Sequence, residues 1–148
     1  MAQMSEIIVS VKTSVPPQYF YNFLKYDATK VATRAPMIVK ESKLISGQEG
    51  QVGNIKLFVY FHGPITKTVK LETTGLYDKE KMLSFKVIEH EEIQQLYPYF
   101  MVTAIFKEGS VDWKINYEKA SPITPKPIVY AQLLVQVTEA LEPYLIGH

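Results

Sequence analysis

Ile7, Val9 and Val11 alternate with Ile8, Ser10 and Lys12, a period of two that predicts a first strand with one consistent apolar face. Ser14 to Pro17 reads as a helix start, since proline is tolerated in a first helical turn, and Tyr19, Phe20, Tyr21, Phe23 and Leu24 make the helix behind it aromatic. A second short helix is expected over 28–33, ending before Pro36 because the residue before a proline disfavours the helical region. A strand over 39–45 follows, then a loop with glycines at 47, 50 and 53. Strands are predicted at 54–61, 66–77, 82–89, 99–106 and 111–118, joined by turns at His62-Gly63-Pro64, 78–81 and Lys107-Glu108-Gly109. This is the spacing of an antiparallel meander. Residues 90–96 form a longer connection, and 121–127, with three prolines, an extended lead-in. The period then changes to that of a helix. Tyr130, Leu133, Leu134, Val137, Leu141 and Leu145 form one stripe over 128–145, and Pro143 is expected to distort the last turn. Such a helix, about 27 Å long at 1.5 Å per residue, must bury its stripe against the sheet.

Composition narrows the function classes. The 148 residues match one domain, 1–148, and 47% hydrophobic with 21% charged residues is ordinary globular usage. The net charge is +1, with no Lys/Arg cluster, which argues against nucleic acid. The absence of cysteine removes disulfides, thiolate nucleophiles and Cys-based metal sites. No apolar run approaches the ~18–20 residues of a membrane span. Glu6 and Lys12 interrupt the first apolar segment, and no Asn-X-Ser/Thr acceptor occurs, so a soluble, cytoplasmic protein without a membrane partner is expected. Ten tyrosines among 12% aromatic residues suit a ligand-lined interior as well as an interface.

Alternation assigns the faces. In 111–118 the apolar set is Val111, Trp113, Ile115 and Tyr117. In 82–89 the inward set is Leu83, Phe85 and Val87, continuing to Glu89. A carboxylate against apolar walls suits proton transfer near neutral pH, and the alternative is a structural Glu89 that accepts backbone N–H groups from the glycine loop. His62 is either an acid–base group at the end of its strand or a plain turn residue, and His90, beside Glu89, Glu91 and Glu92, is expected to be solvated and kept protonated. Lys70 and Glu72 either face inward or form an exposed pair. Neither interior histidine has a partner at metal-ligand spacing, so no metal is expected. No Ser-His-Asp arrangement or dinucleotide fingerprint is visible, and no cofactor is expected. The three glycines precede neither a helix nor a Lys-Ser/Thr pair, which makes a phosphate loop a poor reading.

The order strand, two short helices, six strands and long helix resembles the Bet v 1 fold of pathogenesis-related class 10 proteins. Lys86-Val-Ile-Glu89, the Gly109 to Lys119 strand with Trp113 and Tyr117, the proline-rich lead-in and the Val137 to Leu145 ending resemble the major latex protein-like branch. The resemblance implies an α+β fold: a seven-stranded antiparallel sheet wrapped around the long C-terminal helix, with a large internal cavity. It also implies a small hydrophobic plant metabolite as the partner. Some such proteins are binders, others cofactor-free cyclases, isomerases or lyases of alkaloid and iridoid intermediates, and others receptors that close over a ligand. The glycine spacing here departs from the family's Gly-X-Gly-Gly-X-Gly. The family register places Phe58, Tyr60 and His62 inward, and likewise Tyr99, Met101, Thr103 and Ile105. Phe100, Val102 and Phe106 would then form an apolar outer face, predicting a homodimer. The expected cavity walls are Phe58, Tyr60, Phe85, Val87, Met101, Thr103, Trp113, Tyr117, Tyr130, Leu134 and Val137. Glu89, His62 and Tyr99 are the candidate proton-handling groups, while Tyr60, Tyr99, Tyr117 and Tyr130 serve either as packing residues or as ligand-orienting hydroxyls.

Overall fold

A computed structural model describes residues 4–146. Its strands are β1 (Ser5–Lys12), β2 (Val39–Ser46), β3 (Ile55–His62), β4 (Ile65–Tyr77), β5 (Met82–His90), β6 (Tyr99–Lys107) and β7 (Ser110–Glu118). The helices are α1 (Pro17–Tyr26), α2 (Val31–Arg34) behind a 3₁₀ turn, α3 (Ile93–Leu96) and α4 (Ile128–Ile146). The seven strands form one antiparallel sheet in the order β1-β7-β6-β5-β4-β3-β2. Strand β1 therefore pairs with the last strand, and the first two helices carry the chain across to the opposite edge. The sheet wraps α4, the architecture that the family resemblance implies. Helix α4 runs on past Pro143 to Ile146.

Aromatic packing holds α1 in place. Phe20 stacks on Phe106 with ring centroids 5.8 Å apart, and Tyr21 meets the same ring edge-on. The Tyr21 hydroxyl and the Lys25 ammonium both donate to the Asp78 carboxylate in the β4–β5 turn. The glycine loop docks on the end of this helix. The Gly50 N–H donates to the Lys25 carbonyl at 3.0 Å, and its left-handed backbone at φ +83° favours glycine, as does the Tyr26 ring, 2.7 Å from where a Cβ would stand. Asn54 closes the loop by donating to the carbonyls of Gln48 and Gln51, each at 2.9 Å.

Two registers differ from the sequence expectation. Strand β6 turns Phe100, Val102, Ala104 and Phe106 inward; Tyr99, Met101, Thr103 and Ile105 lie on the outer face. The reason is the tight turn at Glu108-Gly109. It pairs Lys107 with Ser110, which sets Ala104 opposite Trp113 and Phe106 opposite Val111, and directly opposed residues share a face. The apolar residues on which a second copy was expected to sit are thus interior. In β5 the pairing shifts from Leu71–Val87 to Lys70–Glu89, leaving Ile88 as the extra residue of a β-bulge. Beyond it the alternation inverts, so Glu89 faces solvent and His90 faces inward.

Candidate ligand cavity

Between the sheet and α4 lies a cavity of about 160 Å³ for the centres of water-sized spheres, where one water needs roughly 10–15 Å³. Its walls come from every layer of the fold. Strands β3 to β7 contribute Phe58, Val69, Leu71, Phe85, Val87, Phe100, Val102 and Trp113. Helix α4 contributes Leu133, Leu134, Val137 and Leu141, and the first helices Leu24, Ala28 and Val31. The α4 stripe read from the sequence thus lies largely over open space. This explains why Leu134 and Val137 are only half-buried, whereas Ala131 and Thr138 are fully enclosed.

Few polar groups reach this space. Trp113 donates its indole N–H to Thr138 at 2.7 Å, and the Thr138 hydroxyl donates to the Leu134 carbonyl, so these groups satisfy one another. Lys56, on the same face of β3 as Phe58 and Tyr60, is 4% exposed. Its ammonium donates to the Asn54 Oδ1 at 3.3 Å, and the same oxygen accepts from the Thr73 hydroxyl at 2.7 Å. Burial pushes the lysine pKa down, with Glu49 acting against the shift.

At the other end, Tyr60 and His90 form a pair, with the Tyr60 Oη 2.7 Å from the His90 Nε2. His90 is 5% exposed, contrary to the solvated, protonated histidine expected from its acidic neighbours. Burial pushes its pKa below the ordinary histidine value, Lys67 adds to that shift, and Glu91 opposes it. The His90 Nδ1 accepts the backbone N–H groups of Glu92 at 3.0 Å and Ile93 at 3.1 Å. Tyr130 meets the imidazole edge-on at 5.7 Å. Burial raises the pKa of both the Tyr60 and the Tyr130 phenol. Tyr60, Tyr130 and Leu133 also border a second, polar hollow that holds His62, Lys67, Glu92, Gln132 and Gln136. These three residues stand at the boundary between the cavity and that outer hollow.

The expected site residues divide accordingly. Phe58, Tyr60, Phe85, Val87, Trp113, Tyr130, Leu134 and Val137 line the cavity. Tyr117, expected as a wall, is not part of the lining; it is buried with its ring edge-on to Tyr97 at 5.8 Å. Met101 and Thr103 are on the outer face of β6, with Tyr99 38% exposed beside them. Glu89 accepts from Lys70 at 3.1 Å with its side chain 66% exposed, so the structure corrects its inward placement and resolves Lys70 as its surface partner. His62 is exposed at the end of β3, because the sheet face it shares with Tyr60 has passed beyond the cavity rim into the outer hollow. Lys56 and an inward His90 are not among the residues expected at the site. Counting two residues back from Phe58 finds the first, but the bulge that turns His90 inward has no glycine or proline marker in the sequence.

Comparison with known proteins places this geometry among relatives. The model of the pathogenesis-related protein Bet v 1 family matches residues 2–148. MLP-like protein 34 of Arabidopsis thaliana is 25% identical over 148 residues, covering 96% of this chain and 46% of that protein. The chain thus spans a little under half the length of this relative and of MLP-like protein 28 from the same plant. The crystal structure of major latex-like protein 151 from Panax ginseng superposes with a TM-score of 0.90 at 20% identity, over 96% of this chain and 97% of that one. Norcoclaurine synthase from Thalictrum flavum, in complex with dopamine and hydroxybenzaldehyde, gives a TM-score of 0.79 at 14% identity, over 99% of this chain and 89% of that one. No helix among the described residues is long and apolar enough to cross a membrane.

Proposed function

The chain belongs to the Bet v 1 family, and from that premise we propose that it binds and carries a small, mostly apolar plant metabolite within the cavity. The observation that carries this reading is the lining itself: apolar side chains throughout, with Lys56 at one end and the Tyr60–His90 pair at the other. Binding energy in such a site comes from apolar burial, and a few polar groups set orientation. The carboxylate and histidine that sequence reasoning offered for proton transfer are outside the cavity, which favours carriage over turnover.

A second reading is cofactor-free catalysis, a cyclisation or isomerisation of a reactive alkaloid or iridoid-like intermediate. The fold shared with norcoclaurine synthase and the buried Lys56 amine favour it. A cavity that folds a reactive substrate into one conformer supplies rate through orientation alone. In both readings the partner is a small molecule, the compartment proposed is the cytoplasm, and 1–148 acts as one domain.

Incubation of the protein with a panel of plant alkaloid and iridoid intermediates, followed by mass spectrometry, separates the readings. Carriage predicts micromolar binding with product profiles unchanged from buffer. It also predicts that Glu89→Gln and His62→Asn bind within twofold of the parent protein. A protein-dependent product would overturn carriage in favour of catalysis, and absence of binding across the panel would defeat both.

A further inference from the structure

The Tyr60–His90 pair contains more information than its distance. The His90 Nδ1 faces two backbone N–H groups, from Glu92 and Ile93, and can serve them only as an unprotonated acceptor. The imidazole proton therefore sits on Nε2. That N–H points at the Tyr60 oxygen 2.7 Å away, so the phenol oxygen accepts and its own hydrogen is left to donate elsewhere. Among the described residues the Tyr60 hydroxyl has no other hydrogen-bond partner. The rings are fixed in this relation: Tyr60 and His90 are nearly parallel at 16°, and Tyr130 abuts the imidazole edge-on. A buried hydroxyl with its acceptor side occupied and its hydrogen unanswered calls for an acceptor from outside the chain.

We propose that His90 positions Tyr60 as a donor-only hydrogen-bond group at the mouth of the cavity, and that the cavity selects ligands bearing an oxygen acceptor, such as a ketone carbonyl, at that end. The inference rests on the ligand-binding reading of the cavity and adds the chemistry of one end of the ligand. A ligand ending in hydrocarbon leaves the phenol hydrogen unmet, and one ending in an ammonium brings a second donor against it. His90 acts through Tyr60 and is a positioning residue; Tyr60 is the group that touches the ligand.

The test uses the full chain and two probes of nearly equal shape, 2-acetylnaphthalene and 2-isopropenylnaphthalene, titrated by calorimetry. One neutral hydrogen bond predicts a roughly three- to tenfold preference for the ketone. Tyr60→Phe is expected to abolish that preference, so that the variant binds the two probes equally. His90→Asn, whose amide oxygen can still accept from the backbone N–H groups but whose shorter side chain places no donor where the Nε2 stood, is expected to shrink it. In the unsubstituted protein, nitrogen NMR is expected to show His90 protonated on Nε2 and bare on Nδ1, which reads the direction of its hydrogen bond to Tyr60 directly. Equal binding of both probes overturns this inference and leaves the cavity reading standing; so does a preference that survives Tyr60→Phe, or the opposite tautomer. Failure of both probes to bind overturns the cavity reading and the inference with it.

Discussion

Lys56 is a cation enclosed by apolar walls, holding one side-chain hydrogen bond to Asn54 at 3.3 Å. Removing a charge from water costs several kcal/mol unless it is well paired, so this side chain works against folding. Lys56→Met is therefore expected to raise stability by about 1 kcal/mol in urea denaturation. The same substitution is expected to weaken binding of 2-naphthoic acid far more than binding of the uncharged 2-acetylnaphthalene. Equal losses for both probes would show that the ammonium does not meet the ligand. His90 makes the complementary case for pH. Its folded-state pKa is depressed, chiefly by burial and then by Lys67, with Glu91 opposing, so protonation favours the unfolded chain. The stability it contributes is complete above the ordinary histidine value of about 6.5 and is lost as pH falls from there through the folded-state value. Denaturation midpoints are expected to drop between pH 7.5 and 5.5 in the parent protein and to change less in His90→Asn. Of these two residues, Lys56 was within reach of the sequence, since it lies two residues before Phe58 on the face that the family register turns inward. His90 was not, because the bulge at Ile88 inverts the alternation that would have turned it outward.

At the scale of strands and helices, local pattern was a good guide where one face is plainly polar and a poor one where both faces are apolar. Strand β7 alternates Val111, Trp113, Ile115 and Tyr117 with Asp112, Lys114, Asn116 and Glu118, and the structure follows it. Strand β6 is apolar on both faces, so alternation alone leaves its register open. The deciding information lay in its partner: a tight turn at Glu108-Gly109 transmits the face of Trp113 to Ala104. The β5 bulge has no such external anchor, and the pairing with β4 alone reveals it. Contact between α4 and the sheet also depends on a pair invisible to periodicity. Thr138 is 1% exposed and is the acceptor for the Trp113 indole N–H. Thr138→Val keeps the shape but strands a buried donor, so a loss of about 1–3 kcal/mol is expected in urea denaturation, with Thr138→Ser largely restoring it. Equal stability of the Val variant would mean that the indole finds another acceptor.

Across the whole molecule, the cavity is a standing defect in packing that the fold sustains. At about 24 cal/mol per Å³, an unfilled space of 160 Å³ costs on the order of 4 kcal/mol, a large part of the stability of an ordinary domain. The long helix could have closed onto the sheet, yet it is held off by its own ends. Leu141 and Leu145 are buried at one end, while Tyr130 packs against His90, Tyr97 and Phe100 at the other. The middle of the stripe, Leu134 and Val137, is left over open space. A chain selected for stability alone would place larger side chains there, since cavity filling commonly adds 0.5–2 kcal/mol. Val137→Phe is accordingly expected to raise the melting temperature by several degrees and to lower 2-acetylnaphthalene affinity at least tenfold. The opposite signs are the informative part. Added bulk that destabilised the protein would mean the space is already closed in solution. Added bulk that stabilised it without weakening the probe would put the ligand somewhere other than between α4 and the sheet.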